Sequence, residues 1–217
     1  MATINSVLGE IDSKDLGFTL MHEHVMVAAS GLSTHYPDLL GPNREQRAIE
    51  CLKKAKAHGI DTMLDATTFD LGRDPALLQT VAAASGVNLI NVTGWWLDVP
   101  RFMHGVGANQ MADEFIKDLT EGFRGTNIKA GMLKCAADFE GVTPPLETMA
   151  RAVARAHLQT GVPIMVHSYP TGHVARRQIA IFKEEGVDLG KVKIDHSNDT
   201  TDTEYLKWIL EQGCFLG

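Results

Sequence analysis

Short apolar runs rich in Val, Ile and Thr alternate along this chain with longer stretches whose apolar positions recur every three or four residues. The runs Gly17–His22, Ile60–Ala66, Val87–Thr93, Ala130–Ala136, Val162–His167 and Val192–His196, with one more starting near Cys214, predict strands. Several are almost continuously apolar, as parallel strands covered on both faces are. Between them, Met111, Phe115, Ile116, Leu119 and Phe123 form one helical stripe, and Leu146, Met149, Ala150 and Val153 form another. Asp74-Pro75 and Thr143-Pro144-Pro145 open helices, while Gly86 and Gly161 close them. Ile4–Ile11 predicts a short hairpin arm joined to the first of these strands.

Strand and helix in regular alternation define an α/β fold. The repeat of roughly 30 residues per βα unit suits a (β/α)8 TIM barrel, with a doubly wound sheet as the structural alternative. No linker or low-complexity stretch interrupts residues 1–217, which read as a single barrel domain. Six βα units are complete and a seventh strand is starting where the sequence reaches Gly217, so the expected barrel is C-terminally incomplete.

Composition narrows the function. The 217 residues carry 20 Lys+Arg against 27 Asp+Glu, a net charge of −7, with no basic run, which disfavours nucleic acid and anionic membrane surfaces as partners. A small-molecule substrate is expected instead. Cys51, Cys135 and Cys214 are odd in number and far apart, with no C-x-x-C, so neither a disulfide framework nor a cysteine zinc site is indicated. With no signal-peptide pattern and no long apolar run, a cytoplasmic location is expected.

Histidine carries the chemistry. In Leu20-Met21-His22-Glu23-His24 the two imidazoles are two residues apart at a strand end, where a period of two points both to one side. They either share a metal or are one packed and one incidental polar residue. His167 and His196 each end an apolar strand, and in a parallel barrel all strand C-termini share the face that bears active sites. His35, His58, His104, His157 and His173 fall in loops or helices and are expected at the surface. Lys134 ends the apolar strand Ala130–Ala136, where its stem either snorkels to solvent or its neutral amine reacts with carbon dioxide to give an anionic, two-oxygen carbamate.

The segments Gly17–His24, Asp65–Asp74, Thr93-Gly94-Trp95-Trp96, Ala130–Lys134, Gly161–His167 and His196-Ser197-Asn198-Asp199-Thr200 together resemble, in order, the motifs of the phosphotriesterase family of the amidohydrolase superfamily. The resemblance implies a distorted barrel holding two divalent ions, usually zinc, with cobalt, manganese or iron as substitutes. It implies that His22 and His24 bind the more buried ion, that carbamylated Lys134 bridges, and that His167 and His196 bind the more exposed one. The family's aspartate ligand at the end of the eighth strand falls outside this sequence. Asp199 matches a carboxylate that shuttles protons, or else caps the helix starting near Thr201. Asp65 and Arg73 are expected to stabilise the barrel or its loops.

The implied reaction is ester hydrolysis by a hydroxide that two metal ions activate. Trp96 matches a substrate-pocket position, tryptophan in some phosphotriesterases and more often tyrosine in lactonases, so phosphotriesters and lactones both stay open. A packed core aromatic is the plainer reading of Trp95 and Trp96. A different class of function is a catalytically incomplete metal-binding barrel fragment that needs a C-terminal segment or partner chain. Family members are commonly dimers, which leaves a homodimer open.

Overall fold

A computed structural model describes residues 2–217. The chain divides into two compact units, one running to Thr93 with Lys117–Gly131 added, the other comprising Gly94–Ile116 and Met132–Gly217. The fold is α/β, with the seven parallel strands and intervening helices of a (β/α)8 barrel carried as far as its seventh strand.

In the first unit, β1 (Thr3–Ser6) and β2 (Gly9–Asp12) form an antiparallel hairpin that is its own two-stranded sheet rather than an arm of the next strand. The hairpin is held elsewhere: Val7 N donates to Leu89 O at 2.9 Å, and Asn5 Nδ2 donates to Ala130 O at 2.8 Å. The strand β3 (Thr19–Glu23) pairs parallel with β4 (Thr62–Asp65), and β4 with β5 (Asn88–Gly94). Two helices pack here, α2 (Arg44–Ala57), which follows the single turn α1 (Leu32–His35), and α3 (Pro75–Ser85). Asp74 caps α3 by accepting from Leu77 N at 3.0 Å, and Gly86 closes it in the left-handed region, as the sequence predicts.

Helix α4 (Ala108–Thr120) is followed in the second unit by β6 (Met132–Ala136), α5 (Pro144–Thr160), β7 (Ile164–His167), α6 (Ala175–Glu185), β8 (Val192–Ile194), α7 (Thr203–Glu211) and β9 (Phe215–Leu216). β6, β7, β8 and β9 pair in parallel in that order. Phe123, read as the end of the α4 stripe, lies beyond the helix, where its buried ring sits 3.8 Å beneath the Arg73 guanidinium. Asp202, not Asp199, caps α7, accepting from Tyr205 N at 3.0 Å, because the helix starts two residues later than its polar lead-in suggests. His157 is buried rather than at the surface: its Nδ1 lies 2.8 Å from Val162 O, a contact that satisfies the ring inside the α5–β7 turn. Among the described residues, no helix is long and apolar enough to cross a membrane.

Arg151 and Arg155 on α5 clasp the Glu185 carboxylate on α6, Arg155 with both Nε (2.9 Å) and Nη2 (3.0 Å). Arg155 first, then Arg151, holds the Glu185 carboxyl below its usual range. A carboxyl that binds its proton less tightly when folded adds stability above the unfolded value of about 4.3 and loses it as pH falls through the lower folded value. Replacing Glu185 with Gln is therefore expected to cost about 1 kcal/mol at pH 7, with the difference from the parent shrinking in urea melts as the pH is lowered into the acid range.

Candidate metal centre

Two pairs of histidines form, one within each unit. In the first, His22 lies in β3 and His24 one residue beyond it, their ring centroids 5.5 Å apart. The loop leaving β3 is tied to the end of β4: Ala66 N donates to Glu23 O at 2.8 Å, and Val25 N donates to the buried Asp65 Oδ1 at 3.0 Å. Thr67 Oγ1 donates to the same carboxylate oxygen at 2.9 Å and stands 2.8 Å from His24 Nδ1. An ionised carboxylate only accepts, so the Thr67 proton goes to Asp65 and the Thr67 oxygen receives the His24 Nδ1 proton.

Asp65 thus works behind the histidine and under the loop. Arg73 is likewise a brace: Nη1 donates to Val92 O at 3.0 Å and Nη2 stands 3.5 Å from Asp118 Oδ2, inside a setting whose burial lowers the guanidinium pKa. Both fit the stabilising role expected of them.

In the second unit, the parallel register pairs Lys134 with Met165 and Ala136 with His167. Partners across a parallel pair share a face, so Lys134 and His167 point to the same side, the lysine two residues deeper. Lys134 is buried, with 1% of its surface exposed, so its stem does not snorkel out. His167 ends β7, while His196 lies two residues past β8 in the left-handed conformation (φ 61°), which swings it off the strand line. Their ring centroids are 4.4 Å apart, edge to face. Trp96 meets His167 edge-on at 5.5 Å, whereas Trp95 packs into the core against Phe115 at 4.8 Å.

Burial, followed by the neighbouring His196 and with a smaller push from Lys134, lowers His167 to about 4, against a partial pull upward from Asp138. His167 is neutral at physiological pH and has a lone pair to offer. Its Nε2 lies 3.2 Å from Asp138 Oδ2. Asp199 is exposed, its Oδ2 at 3.8 Å from His196 Nδ1. Cys135 and Cys214, both free, are pushed by burial up to about 12 and about 11, so neither offers a thiolate ligand near neutral pH.

The donor chemistry fits divalent cations: two imidazole pairs, one ring neutral by burial and another with its tautomer set by Thr67. Among the described residues, no three His, Cys, Asp or Glu side chains stand close enough to hold a metal ion by themselves. The pattern of strand-end histidines pointed to His22, His24, His167 and His196, but it missed Asp138 and Thr67. Asp138 sits two residues past Ala136, which pairs with His167, and that spacing is the signal that could have found it; Thr67 has no comparable mark in the sequence.

Parallel strands alternating with helices, with polar side chains at the strand C-termini, have the layout of an α/β-barrel enzyme. The model of the phosphotriesterase family matches residues 2–217, and the chain belongs to that family. It is 41% identical to a phosphotriesterase homology protein of Mycobacterium tuberculosis, over 100% of this chain and 70% of that one. It is 40% identical to an aryldialkylphosphatase of Saccharolobus solfataricus, over 95% and 67%. At 25% identity, over 98% and 70%, it resembles a human N-acetyltaurine hydrolase. Hydrolysis is the activity that the names of the latter two share.

Proposed function

We propose that this chain is a metal-dependent hydrolase of small-molecule esters, phosphotriesters or lactones. The observation that carries the reading is the neutral His167 beside His196, on the face into which the buried Lys134 projects. His22 and His24 would hold one divalent cation, His167 and His196 a second, and Lys134 as its carbamate would add an anionic oxygen ligand; zinc is the first candidate, with cobalt, manganese or iron as substitutes. When bound, the cations supply water deprotonated near neutral pH and polarise the scissile phosphoryl or carbonyl group.

The remaining work falls to this chain's side chains. Trp96 walls the His167 ring with an apolar edge, which suits the uncharged body of an ester and sheds water from it. Asp199, exposed and 3.8 Å from His196 Nδ1, can take a proton at Oδ2 and release it to solvent. The relative named aryldialkylphosphatase, at 40% identity, supports the ester reading. Amide hydrolysis is the second reading, favoured by the relative named N-acetyltaurine hydrolase.

The test is reconstitution with zinc and bicarbonate, followed by elemental analysis and assays on a dialkyl aryl phosphate, a lactone and an N-acyl amine. The expected result is close to two metal ions per chain and turnover of the triester or lactone. Turnover of the amide alone would transfer the assignment to the second reading, and a chain that takes up no more than stray metal would end both.

A further inference from the structure

Asp138 lies two residues beyond β6, in a turn closed by Gly141 N donating to Asp138 O at 2.7 Å. Its Oδ1 accepts from Phe139 N at 2.7 Å, which leaves Oδ2 turned to His167 Nε2 at 3.2 Å. We infer that Asp138 is a positioning residue, holding His167 in the tautomer with its proton on Nε2 so that Nδ1 is the nitrogen offered to a divalent cation. The inference rests on the metallohydrolase reading of His167 given above.

The argument is one of proton count. An ionised carboxylate has no proton to give, so a hydrogen bond at 3.2 Å requires the hydrogen on Nε2. An imidazole that binds a metal ion through one nitrogen carries its proton on the other, so a proton held on Nε2 by Asp138 turns the Nδ1 lone pair to the cation. The ring is further confined by the Trp96 edge, and the His167 carbonyl accepts from Gln178 Nε2 at 2.8 Å, which fixes the strand end that carries it. In the other unit the carboxylate acts through an intervening hydroxyl, Asp65 on Thr67 on His24, and the proton settles on Nδ1. The two histidines thereby present different nitrogens, a distinction that the residue types alone do not contain. Partners of this kind orient metal-binding histidines and raise their basicity, and their loss weakens metal affinity by about 10–100-fold.

The experiment uses the full chain labelled with nitrogen-15 at histidine. Long-range proton–nitrogen correlation on the metal-free protein reads the tautomer of His167, assigned from the spectrum of His167→Asn. The parent is expected in the Nε2–H form, and Asp138→Ala in a mixture with the Nδ1–H form. Asp138→Asn, whose amide oxygen still accepts, should stay near the parent. Asp138→Ser guards against a folding defect, since its hydroxyl can still accept from Phe139 N but is too short to reach the ring; it should behave as Asp138→Ala does. In zinc titrations one site should weaken about 10–100-fold in the Ala and Ser variants and recover in Asn. An unchanged tautomer in both the Ala and Ser variants overturns the inference, whatever metal the parent binds. A tautomer that shifts in a protein taking up no zinc sustains the positioning role and removes the metallohydrolase reading instead.

Discussion

Replacing Lys134 with methionine is expected to lower hydrolysis by about 10³-fold or more, the consequence of losing roughly 4 kcal/mol of transition-state stabilisation. The side chain is buried in the middle of β6 and shares its face with His167. Methionine fills a similar unbranched volume, so the metal-free protein should melt within a few degrees of the parent. It cannot form a carbamate. Elemental analysis after reconstitution should show the metal content falling along with the rate. A Lys134→Met protein that keeps both its metal and its turnover would show that the lysine is only a packed cation.

The second large effect is structural and lies one strand away. Gly94 ends β5 with φ at +113°, and a Cβ built on it would stand 1.8 Å from the Lys134 carbonyl oxygen. That oxygen belongs to the backbone of β6 and has no rotamer through which to escape. Gly94→Ala therefore combines a left-handed backbone with a main-chain collision, and a loss of at least about 4 kcal/mol is expected. Gly186→Ala is the control: φ there is +84°, with open space around the site, so about 1 kcal/mol is expected from backbone strain alone. Urea melts of the two variants, or soluble yield where Gly94→Ala does not accumulate, measure the contrast. Because Gly94 precedes Trp95 and Trp96 directly, a partly folded Gly94→Ala should also lose the contact between Trp96 and His167.

Much of the site could be read from periodicity. Strands ending in histidine bring those residues to one end of a parallel sheet, because each strand runs the same way and the side-chain period of two keeps a face constant. His167 obeys this rule literally, as the last residue of β7. His24 and His196 obey it only in part. Both sit beyond their strands, and His196 turns through a left-handed residue that no apolar pattern announces. Asp199 and Asp202 show the same limit at a helix start. Either aspartate is a credible cap by residue type, and only the path of the chain after Thr200 selects Asp202.

The α/β class, the order of strands and helices, the Asp74 cap and the identity of the strand-end histidines were present in the linear pattern, since each depends on local period or on a residue's intrinsic backbone preference. The hairpin's anchoring, the burial of His157 and the hydrogen-bond partners of His24 and His167 were decided only on folding. They depend on hydrogen bonds between residues far apart in the chain, such as Asp138 to His167 and Thr67 to His24. A proton on an imidazole follows its nearest acceptor or donor in space, and spacing along the chain carries no record of that neighbour.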